Sequence, residues 1–290
     1  MQSVVRPAGR ILKRRAVSMA DQMVRRWGSP APSFSYKLHE TRRSKDRHPL
    51  RHADALGKRS VKGWADALGL RTPATLQTAD SVEEIEWERL PRSFVVKPSS
   101  GAGSKGVFLL EQRGGTLYSL AHDAVVTPGE ISNVITSAAR RERYQSRDVL
   151  VEERIERTDE PGKAPFDWKV YAFYGQVGLI MQRDPAQGRA AQFKYYDAEG
   201  RDLGRIRYDR PLDPTLPAPR HPDELRRAAE LLSAHIRYPF VRVDLYEDER
   251  GVVLGELTPY PGGQHRYRTD IDRLLGNLWE DAAVRLRIGE

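Results

Sequence analysis

Two hydrophobic periods alternate along this chain, one of three to four residues and one of two, and the switches between them mark its elements. Leu12, Ala16, Met19, Met23 and Trp27 recur every three or four residues, with Arg14, Arg15, Arg25 and Arg26 elsewhere on the wheel, which predicts a basic amphipathic helix. Gly28 to Pro32 ends it, and the stretch to Arg51 is dense in Arg, Lys and His without a period. Residues 58–68 predict a helix, TPATLQT a strand, and Ser81 with Glu84 a capping box opening a short helix. Apolar runs at Phe94–Lys97 and Val107–Leu110 read as two strands around a Gly/Ser loop. Residues 129–145 predict a helix, and DVLVEE, at 148–153, a buried strand ending in two carboxylates. FDWKVYAFYGQVGLIMQR predicts a β-hairpin turning at Gly175-Gln176, and AQFKYYD a further strand closed by Ala198-Glu199-Gly200. After the proline-rich connector PLDPTLPAPRHP comes a helix from Pro222 to Ile236, with Pro in its first turn. Strands FVRVDLYED and VVLGELT meet at Glu249-Arg250-Gly251, and a last helix follows the loop PYPGGQHRYR from about Asp270 to Arg285. Strands and helices interleave without an internal repeat, so the fold class is α/β (α+β).

The period-two segments also say which polar residues are forced inward. In VRVDLY, Arg242, Asp244 and Tyr246 share one face and Val241, Val243 and Leu245 the other. In LGELT, Glu256 is expected to share a face with Leu254 and Thr258. Carboxylates on paired central strands are costly unless neutralised, either by Mg²⁺, which prefers hard oxygen ligands, or by salt bridges to Arg242. Both readings stay open on these residues alone.

The loop in FVVKPSSGAGSKGVF carries a second chemistry. Gly101, Gly103 and Gly106 let backbone N–H groups approach anionic oxygens, Ser99, Ser100 and Ser104 add hydroxyls, and Lys97 adds a charge at the strand end. It is not a Walker A loop, because Val107 and Phe108 follow Gly106 where Lys and Ser or Thr are needed. Nor is it a dinucleotide fingerprint, because a strand-forming run follows rather than a helix. A polyphosphate lid and a plain Gly/Ser hairpin loop both fit.

Composition narrows the class. At 290 residues the chain can hold two modest domains, and with no cysteine it can build neither disulfides nor thiolate metal sites, so the cytoplasm is the expected compartment. No apolar run approaches the roughly 20 residues that span a bilayer. The net charge of +8 is uneven: residues 1–63 hold 16 basic against 4 acidic residues, and residues 64–290 hold 32 against 36. The basic segment lacks the aromatic interleaving of a nucleic-acid site, so no nucleic acid is expected; peripheral contact with an inner membrane face through residues 11–27 is one alternative to docking on the chain's own domain. His48 and His52 stand one turn apart without a further ligand nearby, so no metal site is predicted there.

The order of these parts is itself informative. A Lys-tipped strand with a Gly/Ser lid, a strand ending in Glu152-Glu153, a strand lysine at Lys169, and an R-x-D strand followed by an acidic strand occur in the order found in ATP-grasp enzymes. LPRSFVVKP, FDWKVYAFYG, RVDLY and GELTPYPGG resemble the TupA-like ATP-grasp family over roughly residues 55–285. The resemblance implies an ATP-grasp fold with mixed sheets and a nucleotide held between two α+β subdomains. It divides the chain into a basic segment 1–53, an α/β unit 54–92, a lid subdomain 93–153 and a metal-binding subdomain 154–290. It implies ATP and Mg²⁺, with Lys97, Lys169 and the stretch Ser99 to Gly106 on the phosphates and Glu152-Glu153 at adenine and ribose. Asp244, Glu256 and Thr258 would bind metal, Thr258 standing where the family pattern has Asn; Arg242, Arg183 and Lys169 would serve catalysis. The implied reaction joins a carboxylate to an amine (or thiol) through an acyl phosphate. The acceptor would be a uronate or acidic cell-surface polysaccharide, or an amino acid or peptide. A kinase acting on a hydroxyl, and a non-catalytic basic adaptor for nucleic acid, membrane or acidic polymer, are the rival functions.

Overall fold

The computed structural model describes residues 32–43, 58–99, 106–142, 148–160, 162–185, 191–262 and 265–289. The helix expected at 12–27, His48 and His52, and lid residues Ser100, Gly101, Gly103 and Ser104 lie outside them. After helices α1 (Phe34–Arg43) and α2 (Lys58–Ala67), strands β1 (Thr75–Ala79), β2 (Ser93–Pro98), β3 (Phe108–Arg113), β4 (Thr116–Ser119), β5 (Ala124–Val126) and β6 (Val149–Glu153) form one sheet, in the order β1-β6-β2-β3-β4-β5. Helix α3 (Pro128–Glu142) covers one face. Alternation along β2 turns Phe94 and Val96 into that core with Ile131 and Ile135, and leaves Val95 and Lys97 on the opposite face.

The second sheet, in the order β11-β10-β7-β8-β9, is built from β7 (Asp167–Ala172), β8 (Val177–Arg183), β9 (Phe193–Tyr196), β10 (Val241–Asp248) and β11 (Gly251–Thr258). Trp168, Val170, Val241, Val243 and Leu245 pack against Leu225, Ala228 and Leu232 of α4 (Pro222–Ile236), and Val61 and Ala65 of α2 join them. The other face meets α1 and α5 (Thr269–Ile288) through Phe34, Phe240 and Trp279. Ser33 and Ser35 fix the start of α1 by hydrogen bonds to Asp272, and Gly276 leaves room for the Pro32 carbonyl, which a Cβ there would meet at 2.6 Å. Among the described residues no helix is long and apolar enough to cross a membrane.

Several expectations change in detail. Pairing between named strands is antiparallel throughout both sheets, which narrows the expected mixed sheets to antiparallel ones. Of the unit expected over 54–92, the described residues 58–92 are shared between the halves: α2 joins the core of the second sheet, while β1 pairs with β6 of the first. The connector between them is bonded on both sides, Leu254 N–H to the Arg71 carbonyl at 2.8 Å and Glu153 N–H to the Ala74 carbonyl at 2.8 Å. Ser81 makes no side-chain cap, and the helix it precedes is a single 3₁₀ turn, Val82–Glu84. The β7–β8 turn centres on Tyr174-Gly175 (φ 43° and 82°) rather than Gly175-Gln176, closed by reciprocal bonds between Phe173 and Gln176. The proline-rich connector lies along the edge of β9, bonded at Phe193 and Lys194, and so blocks that edge from pairing with another chain.

One irregularity positions the site. Opposite β10 the register slips between Asp244 and Leu245, so that Glu256 faces Asp244 and Leu254 faces Leu245. Gly255 is the extra residue of this bulge. Leu254 therefore turns into the core with Leu245, correcting the expectation that it shares the face of Glu256. A Cβ on Gly255 would sit 2.6 Å from Tyr246 Cε2. Gly255→Ala is expected to destabilise the fold by about 1–3 kcal/mol through overpacking; an unchanged urea midpoint would show that the bulge tolerates a side chain.

Candidate functional site

The alternation of β7 and β10 delivers their polar residues to one place. Lys169 lies directly opposite Asp244, and Asp244 directly opposite Glu256, across three adjacent strands. Asp244 is almost fully buried and its carboxylate is shared. Oδ1 accepts from Arg242 Nε at 2.5 Å, and Oδ2 accepts from Arg242 Nη2 at 2.6 Å and from Lys169 Nζ at 2.7 Å. Lys169 Nζ also donates to Asp167 at 2.9 Å, and Arg242 Nη2 to Thr258 Oγ1 at 3.0 Å; Thr258 in turn donates to Glu256 Oε1 at 3.3 Å. Arg242 Nη1 makes no hydrogen bond among the described residues.

Charge and burial act against each other here. Burial opposes ionisation of Asp244, but Lys169 and Arg242 outweigh it and hold the carboxyl below the usual carboxylate range. Asp167 and Glu256 are pushed up, each first by burial and then by the charge of Asp244 against the pull of the cations. Lys169 is held charged, its two carboxylates overcoming burial, and so is Arg242. Three carboxylates, Asp167, Asp244 and Glu256, meet Lys169 and Arg242 at the centre of the cluster and Arg183 at its edge, 3.8 Å from Asp167. Among the described residues no three acidic or histidine side chains converge as a cage for a metal. Asp244 and Glu256 are instead a two-carboxylate donor set, and Mg²⁺ is typically held by one or two carboxylates together with phosphate oxygens and water.

The first sheet supplies the facing surface. Lys97 pairs with Glu152 across β2 and β6, beside Val95 and Leu150 on the same face. The two faces feel one another: the Tyr246 phenol is pushed well up, first by burial and then by the charges of Asp167, Asp244, Glu256 and Glu152. Ser99 donates its backbone N–H to the Asp148 carbonyl at 2.8 Å. Gly106 has φ +73°, and a Cβ there would also meet Pro98 at 3.2 Å, so the far end of the lid requires glycine.

The predicted residues therefore do not all converge. Lys169, Arg242, Asp244, Glu256 and Thr258 form one network, and Lys97 and Glu152 another. Glu153 is taken by a strut between the sheets, accepting from Arg250 and from the Ala74 N–H at 3.2 Å, while Arg71 and Arg250 both bind Asp248. Arg183 approaches Asp167 at 3.8 Å, and the neighbouring Asp184 accepts from Arg157 at 2.8 Å. Asp167 itself was overlooked, although its spacing of two from Lys169 puts both on one face of β7.

A family model described as TupA-like ATPgrasp matches residues 39–280. Among solved structures the chain is similar to D-alanine-D-alanine ligase from Helicobacter pylori, at 17% identity and TM-score 0.49, over 78% of this chain and 60% of that one. It is also similar to D-alanine-D-alanine ligase from Bacillus anthracis (16% identity, TM-score 0.47, 80% of this chain and 68% of that one). A third is the ATP-grasp ligase PsnB complexed with minimal precursor (16% identity, TM-score 0.46, 81% and 63%). The chain spans about three-fifths of the length of the Helicobacter pylori enzyme. No curated protein matches it.

Glu256 gives the site a stability signature. Its carboxyl is raised above the ordinary 4.5, so in the folded chain it keeps its proton to a higher pH than in the unfolded chain. Above that pH the ionised form costs stability. Glu256→Gln removes this cost, so the unliganded variant is expected to melt higher than wild type at pH 7–8, with the gap closing as pH falls below the ordinary carboxyl value. A lower melting temperature at pH 8 would mean that Glu256 serves chiefly to anchor Arg242 and Thr258.

Proposed function

Because this chain belongs to the TupA-like ATP-grasp family, we propose that it is an ATP- and Mg²⁺-dependent ligase that joins a carboxylate to an amine through an acyl phosphate. The observation that carries this reading is Asp244, buried and ionised between Lys169 and Arg242, with Glu256 directly opposite on the next strand. Mg²⁺-ATP, when bound, supplies the phosphoryl group that turns a carboxylate oxygen into a leaving group.

The residues fit that task. Asp244 and Glu256 would hold the metal, because each carboxylate has lone pairs beyond its present bonds. Thr258 offers one hydroxyl where the family pattern has a carboxamide, and that hydroxyl is already engaged by Arg242 and Glu256, so the donor set is leaner by one strong ligand. Lys97, on the facing sheet, and Lys169 carry the charges for phosphate oxygens. Glu152, beside the apolar Val95 and Leu150, would face the nucleoside. Arg242 turns Nε and Nη2 to Asp244 and leaves Nη1 for charge developing on the transferred group, while Arg183 flanks the cluster beyond Asp167. In that reaction a substrate carboxylate oxygen would take the γ-phosphoryl group with ADP as the leaving group, and an amine would then displace phosphate at the acyl carbon and give up its proton to phosphate or solvent. The acceptor classes in view are small or polymeric acids, amino acids and peptides.

Calorimetric titration of a non-hydrolysable ATP analogue tests the core of this proposal. Binding is expected to tighten at least about tenfold with Mg²⁺ and to lose that gain in Asp244→Asn. A folded wild type that binds no nucleotide would sink the reading. Equimolar free phosphate and ADP on screening carboxylates with amines would separate ligation from transfer to a hydroxyl, which keeps the phosphate on the acceptor.

A further inference from the structure

Ahead of α5, two loop segments form a short antiparallel ladder. Arg207 bridges Tyr267, the Tyr208 N–H donates to the Arg266 carbonyl at 2.8 Å, and the Arg268 N–H donates to the Ile206 carbonyl at 2.8 Å. Ile206, Arg207 and Tyr267 are buried, Ile206 and Tyr267 in the aromatic core that also holds Tyr171 and Tyr195. Arg205, Tyr208 and Arg266 are exposed, and the register sets Tyr208 directly opposite Arg266. His265, pushed down to about 4 first by burial and then by Arg207, is neutral at ordinary pH. The positive charge of the ladder is therefore carried by arginine alone.

Much of that charge is left without a counter-ion. Residues 205–210 and 265–274 hold six arginines against Asp209, Asp270 and Asp272, although residues 64–290 as a whole hold 32 basic against 36 acidic residues. The three carboxylates are already engaged. Asp209 accepts from the Arg207 guanidinium and the Arg266 N–H, Asp270 from Arg268, and Asp272 from Ser33 and Ser35. Among the described residues the side chains of Arg205, Arg266 and Arg273 make no hydrogen bond or ion pair, and Arg210 only lies over the Phe193 ring at 5.3 Å. Beside these cations stand two large side chains turned to water: Tyr208 is 60% exposed, and Leu274, in the second turn of α5, is 48% exposed.

We propose that this ladder and the first turns of α5 form a docking face for a bilayer rich in anionic phospholipid. Guanidinium groups bind phosphate oxygens in pairs, and a tyrosine seats its ring at the headgroup level with its hydroxyl in water. Leu274 adds apolar surface beside them. A soluble polyanion would be held by the arginines alone and would gain little from Tyr208 or Leu274. Single-stranded nucleic acid needs successive aromatic platforms, and Tyr208 is the one exposed aromatic residue described on these segments. The sequence sets a second membrane signal close by. Ser35 Oγ donates to the His265 carbonyl at 2.7 Å, next to Arg266. Four residues separate Trp27, the last position of the predicted basic amphipathic stripe, from Pro32, a connection that spans at most about 18 Å. Membrane affinity grows with buried apolar area and with attraction to anionic lipid, so the two elements would reinforce one another. This inference does not depend on the ligase reading.

Vesicle flotation of the full chain tests this, with phosphatidylcholine vesicles alone and with an equal share of phosphatidylglycerol. The chain is expected to float with the mixed vesicles and not with phosphatidylcholine alone. Arg266→Gln should lower that partition about fivefold. Tyr208→Ala should lower it about threefold or more, while leaving affinity for dextran sulfate, a soluble polyanion, unchanged. Melting temperatures should stay at the wild-type value in both variants, because both side chains are exposed. Arg89→Gln, an exposed arginine on the first sheet's side, should leave vesicle binding unchanged. No binding to the mixed vesicles would overturn the proposal. So would binding that neither variant weakens, which would assign it to residues 11–27 alone. A third result would also overturn it: Arg266→Gln weakening vesicles and dextran sulfate alike while Tyr208→Ala weakens neither, the behaviour of a surface for a soluble acidic polymer.

Discussion

Asp244 carries an ionised carboxylate on a central strand, and the second sheet is arranged to make that tolerable. An isolated charge in such a place would take a proton rather than stay ionised. Lys169 and Arg242 prevent this, but each is itself buried, and the carboxylates around it offset the cost of that burial. Removing either cation would leave an uncompensated buried charge, a loss of about 3–5 kcal/mol where such pairs have been broken. The registers of β7, β10 and β11 thus follow from a charge requirement as much as from hydrogen bonding: a slip of one residue would turn Asp244 into the apolar core against α4. The opposite face of the same strands, packed with Val241, Val243 and Leu245, supplies the burial that offsets the cost of the charges.

The two sheets meet through backbone as well as through side chains. The connector ahead of β1 is bonded to β11 at Arg71 and to β6 at Ala74, and Arg71, Asp248, Arg250 and Glu153 form a chain of ion pairs along the same seam. Exposed ion pairs contribute little by themselves. The backbone bonds matter more, because they tie a strand of each sheet to one short segment. Hence Glu152 of the first sheet and Tyr246 of the second stand within one electrostatic field.

Much of this was legible where side-chain period and chemistry agree. The alternation in VRVDLY placed Arg242 and Asp244 together, and the same rule applied to FDWKVY puts Asp167 beside Lys169. What escaped was whatever depends on neighbours distant in sequence. The bulge at Gly255 reverses Leu254 because β10 lies opposite with Tyr246 over the glycine, and LGELT alone says nothing of that. Ser81 and Glu84 have the spacing of a capping box, yet the helix stops after one turn. Glu153 looked like a site carboxylate from its place at a strand end, but Arg250, 97 residues on, takes it into the seam. The Tyr171, Tyr195 and Tyr267 cluster could not be foreseen either, since it draws on two strands and a loop.

The site face has two ends of different character, and Arg242 belongs to both. Toward β11 it is ionic, with Asp244, Glu256 and Lys169, whose charges must be balanced against one another inside the protein. Toward β9 it is built from neutral hydroxyls and an imidazole held uncharged, with arginines around them. The neutral hydroxyls add no charge beside Asp244, where a further carboxylate would raise Asp167 and Glu256 still more and a further lysine would compete for Asp244. Arg242 anchors Asp244 and Thr258 with Nε and Nη2, and its field reaches the Tyr171 phenol. Arg242 therefore ties the two ends together, and one side chain sets the distance between the ionic cluster and the neutral hydroxyls.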